Sequence, residues 1–173
     1  MLHTIGRKTQ SDDLVDMLLE CHDRIRTSLA LAIALGRRSD APLEQVVEGC
    51  SRIQRYFTQA MPLHVHDEED SLLPRLRGRS AEVDGALEQM REEHELHADL
   101  LRQLLELCES LHEDPGQPKT HAALADAAQE LEAALEPHLE AEETVILPAV
   151  RALLSSEEQD EITRELRARR SGP

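Results

Sequence analysis

A short motif that occurs twice constrains this chain more than any other feature. It appears as His64-Val65-His66-Asp67-Glu68-Glu69, followed by Leu72, Leu73 and Pro74. It returns as His138-Leu139-Glu140-Ala141-Glu142-Glu143, followed by Ile146, Leu147 and Pro148. Both copies read H-x-x-x-E-E-x-x-[LI]-L-P, and each residue of the second lies 74 positions after its counterpart (138 − 64 = 74). A His and a Glu at i and i+4 stand one turn apart on the same helix face, because side chains recur there every ~3.6 residues. An imidazole and a carboxylate aimed at one point are ligands that a first-row transition metal accepts. Two such pairs in one small chain imply two metals, or one shared dinuclear centre.

The wider spacing repeats as well. His22 lies 42 residues before the first motif (64 − 22 = 42) and His94 lies 44 before the second (138 − 94 = 44). The chain thus reads as a lone helical His followed by H-x-x-x-E, twice over, which predicts two helical hairpins related by an approximate two-fold. With nine His and 35 acidic residues, one H-x-x-x-E is expected by chance. Two copies sharing the second Glu, the apolar pair and the Pro are not.

At 173 residues the chain is one domain, long enough to bury a core. Its apolar residues are mostly Ala and Leu, with one Tyr, one Phe and no Trp, and Glu, Gln and Arg fill much of the rest. These residues lose little rotamer freedom in a helix, whereas the residues that strands prefer are sparse. The predicted class is all-α. A formal charge of −16 argues against nucleic-acid binding, which needs a basic face, and against anionic membrane surfaces. No secretory signal and no run of ~20 apolar residues is present in the sequence. Cys21, Cys50 and Cys108 form no CxxC pattern. Their odd number and wide spacing favour reduced thiols in a cytoplasmic setting. Cys21 points about 100° away from its neighbour His22 and is not expected to be a ligand.

Along the chain, residues 1–10 read as a flexible leader, 11–153 as a bundle and 154–173 as a short C-terminal helix and tail. Ser11-Asp12 can cap a first helix whose stripe is Leu14, Leu18, His22, Ile25 and Leu29. Gly36 to Pro42 breaks it, and a second helix through Val46, Ile53 and Phe57 reaches His64 and is expected to end at Pro74 and Gly78. Ser80 opens a third helix through Leu87, His94 and Leu104 to about Leu111. The fourth runs from about Thr120 through Leu131 and His138 towards Val150. A short fifth, from Glu157 to Arg167, is preceded by a Ser155…Glu158 capping box. Four long helices with short connections predict an up-down-up-down four-helix bundle, whose core is a usual place for a metal site. Pro62 and Pro137 precede His64 and His138; each either kinks its helix and aims the ligands inward, or starts a new helix.

One lone His and one H-x-x-x-E per half give His22, His64, Glu68, His94, His138 and Glu142 as candidate metal ligands. Four imidazoles and two carboxylates suit iron or manganese better than zinc, whose structural sites are usually four-coordinate and often thiolate-rich. Six ligands shared by two metals leave coordination positions open for O2, peroxide, NO or a solvent oxo group. His3, His66, His112 and His121, the Arg75, Arg77, Arg79 cluster and the Arg164–Arg170 stretch read as solvated surface. Phe57, seven residues before His64, reads as a core residue or as part of the site wall.

This arrangement resembles the hemerythrin-like (HHE cation-binding) domains, four-helix bundles holding a non-haem di-iron centre. The resemblance spans about Ser11 to Ala152 and rests on the two motif copies with His22 and His94. It implies two iron ions, oxo-, hydroxo- or carboxylate-bridged, on the six residues just named, with Mn or Zn as substitutes. The respiratory members carry a further third-helix His four residues after the first, where this chain has Ala98, with His97 one residue earlier as an imperfect substitute. Their fourth-helix carboxylate lies five residues after its His, which would select Glu143. Helix geometry favours Glu142, about 40° from the His138 direction against about 140° for Glu143.

The functional expectation is a di-iron protein that binds or responds to O2, NO, peroxide or iron. The alternatives are a di-iron oxidoreductase handling peroxide or NO or repairing iron centres, and a bundle whose metal is purely structural. Expected partners are a small diatomic ligand or peroxide, with room for a protein partner that the residues do not identify. No catalytic residue beyond the metal ligands, nucleophile triad or phosphate loop is apparent. A ferritin-like bundle is disfavoured, because it would use E-x-x-H pairs and lone Glu residues, the reverse of the order here.

Overall fold

In the computed structural model, residues 13–171 are described, and they form five helices with no strand among them. Helix α1 spans Leu14–Gly36, α2 residues 43–76, α3 Ala81–Glu113, α4 residues 118–153 and α5 Ser156–Ser171. Helix α1 packs against α2 and α4, and α3 packs against the same two, so the four long helices close a square with short connections. The all-α, up-down-up-down expectation holds. Ser11, Asp12 and the leader 1–10 lie outside the described residues. The cap seen on α1 is Asp13, whose carboxylate accepts from the Asp16 amide at 3.1 Å. The box expected at α5 is formed reciprocally: the Ser155 amide donates to Glu158 at 2.7 Å and the Glu158 amide to Ser155 Oγ at 3.3 Å. None of the described helices is long and apolar enough to cross a membrane.

The core is in two parts. One apolar cluster joins Ile25, Leu29, Ile53, Phe57, Leu104 and Leu131 at one end of the bundle. The other joins Leu14, Leu18, Leu76, Leu87, Val150 and Ile162 at the end that α5 covers. Burying each such side chain contributes about 1.5–3 kcal/mol. His22, His64, Glu68, His138 and Glu142 are also buried, where the helix positions feeding one cluster give way to those feeding the other.

Helix α2 ends at Leu76, between the expected Pro74 and Gly78, and Gly78, with a φ of 80° that suits glycine, lies in the turn beyond; but the helix passes Pro74 without breaking. The reason is a wide turn. At Asp67–Leu72 the helix opens into a π segment, and the Leu73 amide bonds the Glu68 carbonyl five residues back. The same happens at Glu142–Ile146, where the Leu147 amide reaches the Glu142 carbonyl, and at Tyr56–Ala60, where Met61 reaches Tyr56. Each wide turn is succeeded by one residue and then a proline: Pro62, Pro74 and Pro148. A proline in a regular helix clashes with the carbonyl four residues back and lacks a donor. Five-residue spacing just before it relieves both problems, so the chain turns without breaking. Pro137 lies inside regular helix.

Gly36 sits where α1 crosses α4. A Cβ there would lie 2.5 Å from the Ala125 amide nitrogen and 2.7 Å from the His121 carbonyl oxygen, both backbone atoms that cannot swing away. Gly85, on the exposed side of α3, would meet nothing within 4 Å. Gly36→Ala should therefore destabilise by about 1–3 kcal/mol through overpacking. Gly85→Ala should stabilise by about 0.5–1 kcal/mol through helix propensity. Urea denaturation of the two variants checks both signs.

Candidate metal centre

The six sequence-selected residues converge. His22 comes from α1, His64 and Glu68 from α2, His94 from α3, and His138 and Glu142 from α4. His22, His64, Glu68 and Glu142 form one group whose potential donor atoms lie within 4.8 Å of one another, and His94, His138 and Glu142 form a second. Glu142 belongs to both. Its Oε2 is 3.1 Å from His22 Nε2 and its Oε1 is 3.0 Å from His138 Nε2. Glu68 mirrors it, with Oε1 3.1 Å from His64 Nε2 and Oε2 3.3 Å from His94 Nε2. Each carboxylate thus stands between one imidazole of either group.

These contacts are short but are not hydrogen bonds. His22 Nε2, His64 Nε2, His94 Nε2, Glu68 Oε2 and both oxygens of Glu142 are buried without a hydrogen-bonding partner. A buried polar atom without a partner ordinarily costs about 1–3 kcal/mol. Here several face one another at 3.0–3.3 Å, aimed at common points. A cation at those points would satisfy them all, so the residues present fit a metal.

The charges agree. Burial drives the Glu68 carboxyl well above the usual range, and the neighbouring Glu142 charge pushes the same way. Burial would also raise Glu142, but contact with His138 and His22 outweighs it and holds that carboxyl low. Burial, with the nearby rings of His22, His94 and His138, pushes His64 down to about 3, leaving it neutral. For His22 and His138 burial acts downward too, yet the Glu142 carboxylate wins and raises both. Without a cation the two like-charged carboxylates disfavour each other; a bound metal would allow both to ionise and the imidazoles to stay neutral.

An outer ring of carboxylates orients the imidazoles. His22 Nδ1 meets Glu143 Oε1, His94 Nδ1 meets Glu69 Oε1 and His138 Nδ1 meets Glu93 Oε2, each at 2.8 Å. Each Nδ1–H donates outward, which leaves the Nε2 lone pair facing the cluster. The second Glu of each motif copy is thereby explained: Glu69 and Glu143 support the lone His of the opposite hairpin. Arg26 continues the chain, donating to Glu143 at 2.8 Å and gripping Glu136 through contacts of 2.9–3.2 Å. Burial and the Arg26 contact act oppositely on Glu143, and the net shift is downward.

His64 lacks such a support; its Nδ1 is buried without a partner. By the internal repeat, Glu93 precedes His94 as Cys21 precedes His22 (93 − 21 = 94 − 22 = 72), so Cys21 stands where a fourth carboxylate would. Cys21 belongs to neither donor group, and its Sγ lies 3.8 Å from Arg170 Nη2. Glu143 also lies outside the cluster, on the far nitrogen of His22. His97 is buried with its ring centroid 5.1 Å from that of His138, and it joins neither group.

Several surface assignments fail. His121 is buried, its ring nitrogens facing the carbonyls of Leu35 at 3.1 Å and Pro115 at 2.9 Å, so it ties the end of α1 to the loop before α4. Arg75 pairs with Glu165 at 2.7 Å. Arg169 and Arg170 are not a solvated helix end. They hold Asp67, fully buried beside Glu68, at 2.8 and 2.5 Å. Helix α5 is thus clamped onto the wide turn that carries Glu68, a role no motif in the sequence signalled. His66 is exposed and pairs with Asp70 as expected of a surface residue. His3 lies outside the described residues.

The family model for the hemerythrin HHE cation-binding domain matches residues 13–150. The chain belongs to that family. No curated protein matches it. Family membership and the His/Glu cluster are both compatible with metal binding.

The Asp67 clamp is asymmetric. Removing both arginines (Arg169→Ala with Arg170→Ala) strands a buried carboxylate and should cost about 3–5 kcal/mol. Asp67→Asn should cost clearly less, because the part-exposed arginines can turn to water. Guanidinium denaturation of both variants measures the difference, and equal costs would refute the clamp.

Proposed function

We propose that this hemerythrin-family bundle holds two iron ions in a dinuclear centre that binds a small oxidant: O2, NO or peroxide. The observation that carries the reading is the placing of Glu68 and Glu142, each between an imidazole of one donor group and an imidazole of the other. A carboxylate so placed is suited to bridging two metals. His22 and His64 would complete one metal's protein ligands and His94 and His138 the other's. That is fewer than a six-coordinate metal needs, so positions stay open for a small ligand. Oxygen and nitrogen donors without thiolate favour iron or manganese over a closed zinc site.

A bound iron pair would supply redox electrons and open coordination sites. The chain's own residues do the remainder. Glu69, Glu93 and Glu143 hold three imidazoles in one tautomer and one orientation. The apolar clusters above and below exclude bulk water and lower the local dielectric, which strengthens every charge interaction inside.

Elemental analysis of protein from iron-supplemented cells should give about two irons per chain. His64→Ala and Glu142→Ala should each lose at least one of them and lower the melting temperature. Glu143→Ala should keep the metals but weaken binding roughly 10–100-fold, as loss of an outer-shell carboxylate does. Full iron in the Glu142→Ala protein, or zinc in place of iron in the wild type, would sink the reading.

A further inference from the structure

Beside the metal centre lies a cavity of about 220 Å³ between α2, α3 and α4. Phe57, Met61, Leu101, Leu131 and Leu135 make its walls, and the exposed Pro62, His66 and Ala98 rim it. The wall is almost wholly apolar. Two groups interrupt it: His94, a candidate metal ligand, and His97. His97 is only 8 % exposed and its Nδ1 has no hydrogen-bonding partner. An imidazole nitrogen accepts or donates according to the ring's tautomer, and a hydroxyl can do the opposite in either case. A buried polar nitrogen in an apolar wall is costly unless something bonds to it.

We propose that this cavity is a binding site for a small organic molecule with an apolar body and a single O–H group, an alcohol or a hydroperoxide, whose O–H group hydrogen-bonds to His97 Nδ1. Size supports this. An apolar cavity of roughly 150 Å³ accommodates benzene, so this one admits a substituted ring or a branched alkyl chain. A diatomic ligand would leave most of it unfilled. Polarity supports it too, since one unpartnered nitrogen among apolar walls selects one hydroxyl and rejects charge. His94 lines the same cavity, which puts the bound molecule beside the proposed iron pair, and that part of the inference rests on the metal reading above. His97 is then a specificity residue, distinct from the metal ligands.

The test is titration calorimetry on the air-oxidised, full-length protein with no reductant present, iron content being measured on each preparation. The probes are 2-phenyl-2-propanol, cumene hydroperoxide and isopropylbenzene, which shares their shape but lacks the O–H. Saturable binding is expected for the first two, about fivefold or more tighter than for isopropylbenzene, the worth of one neutral hydrogen bond. His97→Phe should erase that preference while the hydrocarbon still binds. Ala98→Trp, which plugs the rim from an exposed position, should abolish all three. Tighter binding of the hydroperoxide than of the alcohol identifies a peroxide site, and the reverse an alcohol site. Failure of all three probes to bind a folded, iron-loaded protein overturns the proposal, as does an O–H preference that survives His97→Phe. Probe binding to wild-type protein that holds no iron would instead uphold the cavity and remove the metal reading.

Discussion

Everything in this structure is arranged around the burial of two carboxylates and four imidazoles amid an otherwise apolar core. Moving even one ionised carboxylate out of water costs several kcal/mol, and two side by side cost more. The helices must therefore bring compensation to one place: the opposing imidazoles, an outer ring of carboxylates, and sites where a cation would satisfy the remaining lone pairs. The core is split into two apolar clusters as a consequence. Each has to be large enough to stabilise the bundle on its own side of a layer that contributes little hydrophobic energy.

The backbone yields to the same demand. Both carboxylates that stand between imidazoles begin a π turn, and their own carbonyls accept the five-residue hydrogen bonds. A wide turn shifts the angular register of the next helical residues, so the apolar side chains before Pro74 and Pro148 return to the core although the Glu one turn earlier faces the cluster. Such turns are rare and gather at functional sites. Here the proline after each one makes ordinary helix unfavourable at that point, which ties the wide turn to a residue visible in the sequence.

Much of the centre is legible in the chain. Periodicity and repetition select His22, His64, Glu68, His94, His138 and Glu142, and the structure brings them together because i, i+4 spacing on a helix is rigid. The choice of Glu142 over Glu143 rests on the same angular argument. The outer shell is less legible. Glu69 and Glu143 stand in the motif, yet their targets are imidazoles on other helices, and no local spacing reveals which. Glu93 has no counterpart in the first half, where Cys21 stands instead, so the repeat itself hides it. Arg169 and Arg170 look solvent-facing because charged residues at a helix end usually are; only the docking of α5 turns them onto the buried Asp67 carboxylate. His121 escapes a surface reading for the same reason, its partners lying on other segments. Pro74 looks like a helix end because proline breaks an ordinary helix, and nothing local announces a five-residue turn.

By itself the sequence determined the helical class, the two-fold repeat and the inner set of His and Glu residues, since all three rest on periodicity that the backbone enforces wherever the chain goes. Tertiary structure alone decided which carboxylate supports which imidazole, how α5 is clamped to the helix that carries Glu68, and that an apolar cavity with one unpartnered nitrogen opens beside His94. Those are relations between residues tens of positions apart. They depend on which faces meet when four helices pack, and that is settled by the sum of many small contacts rather than by any one spacing.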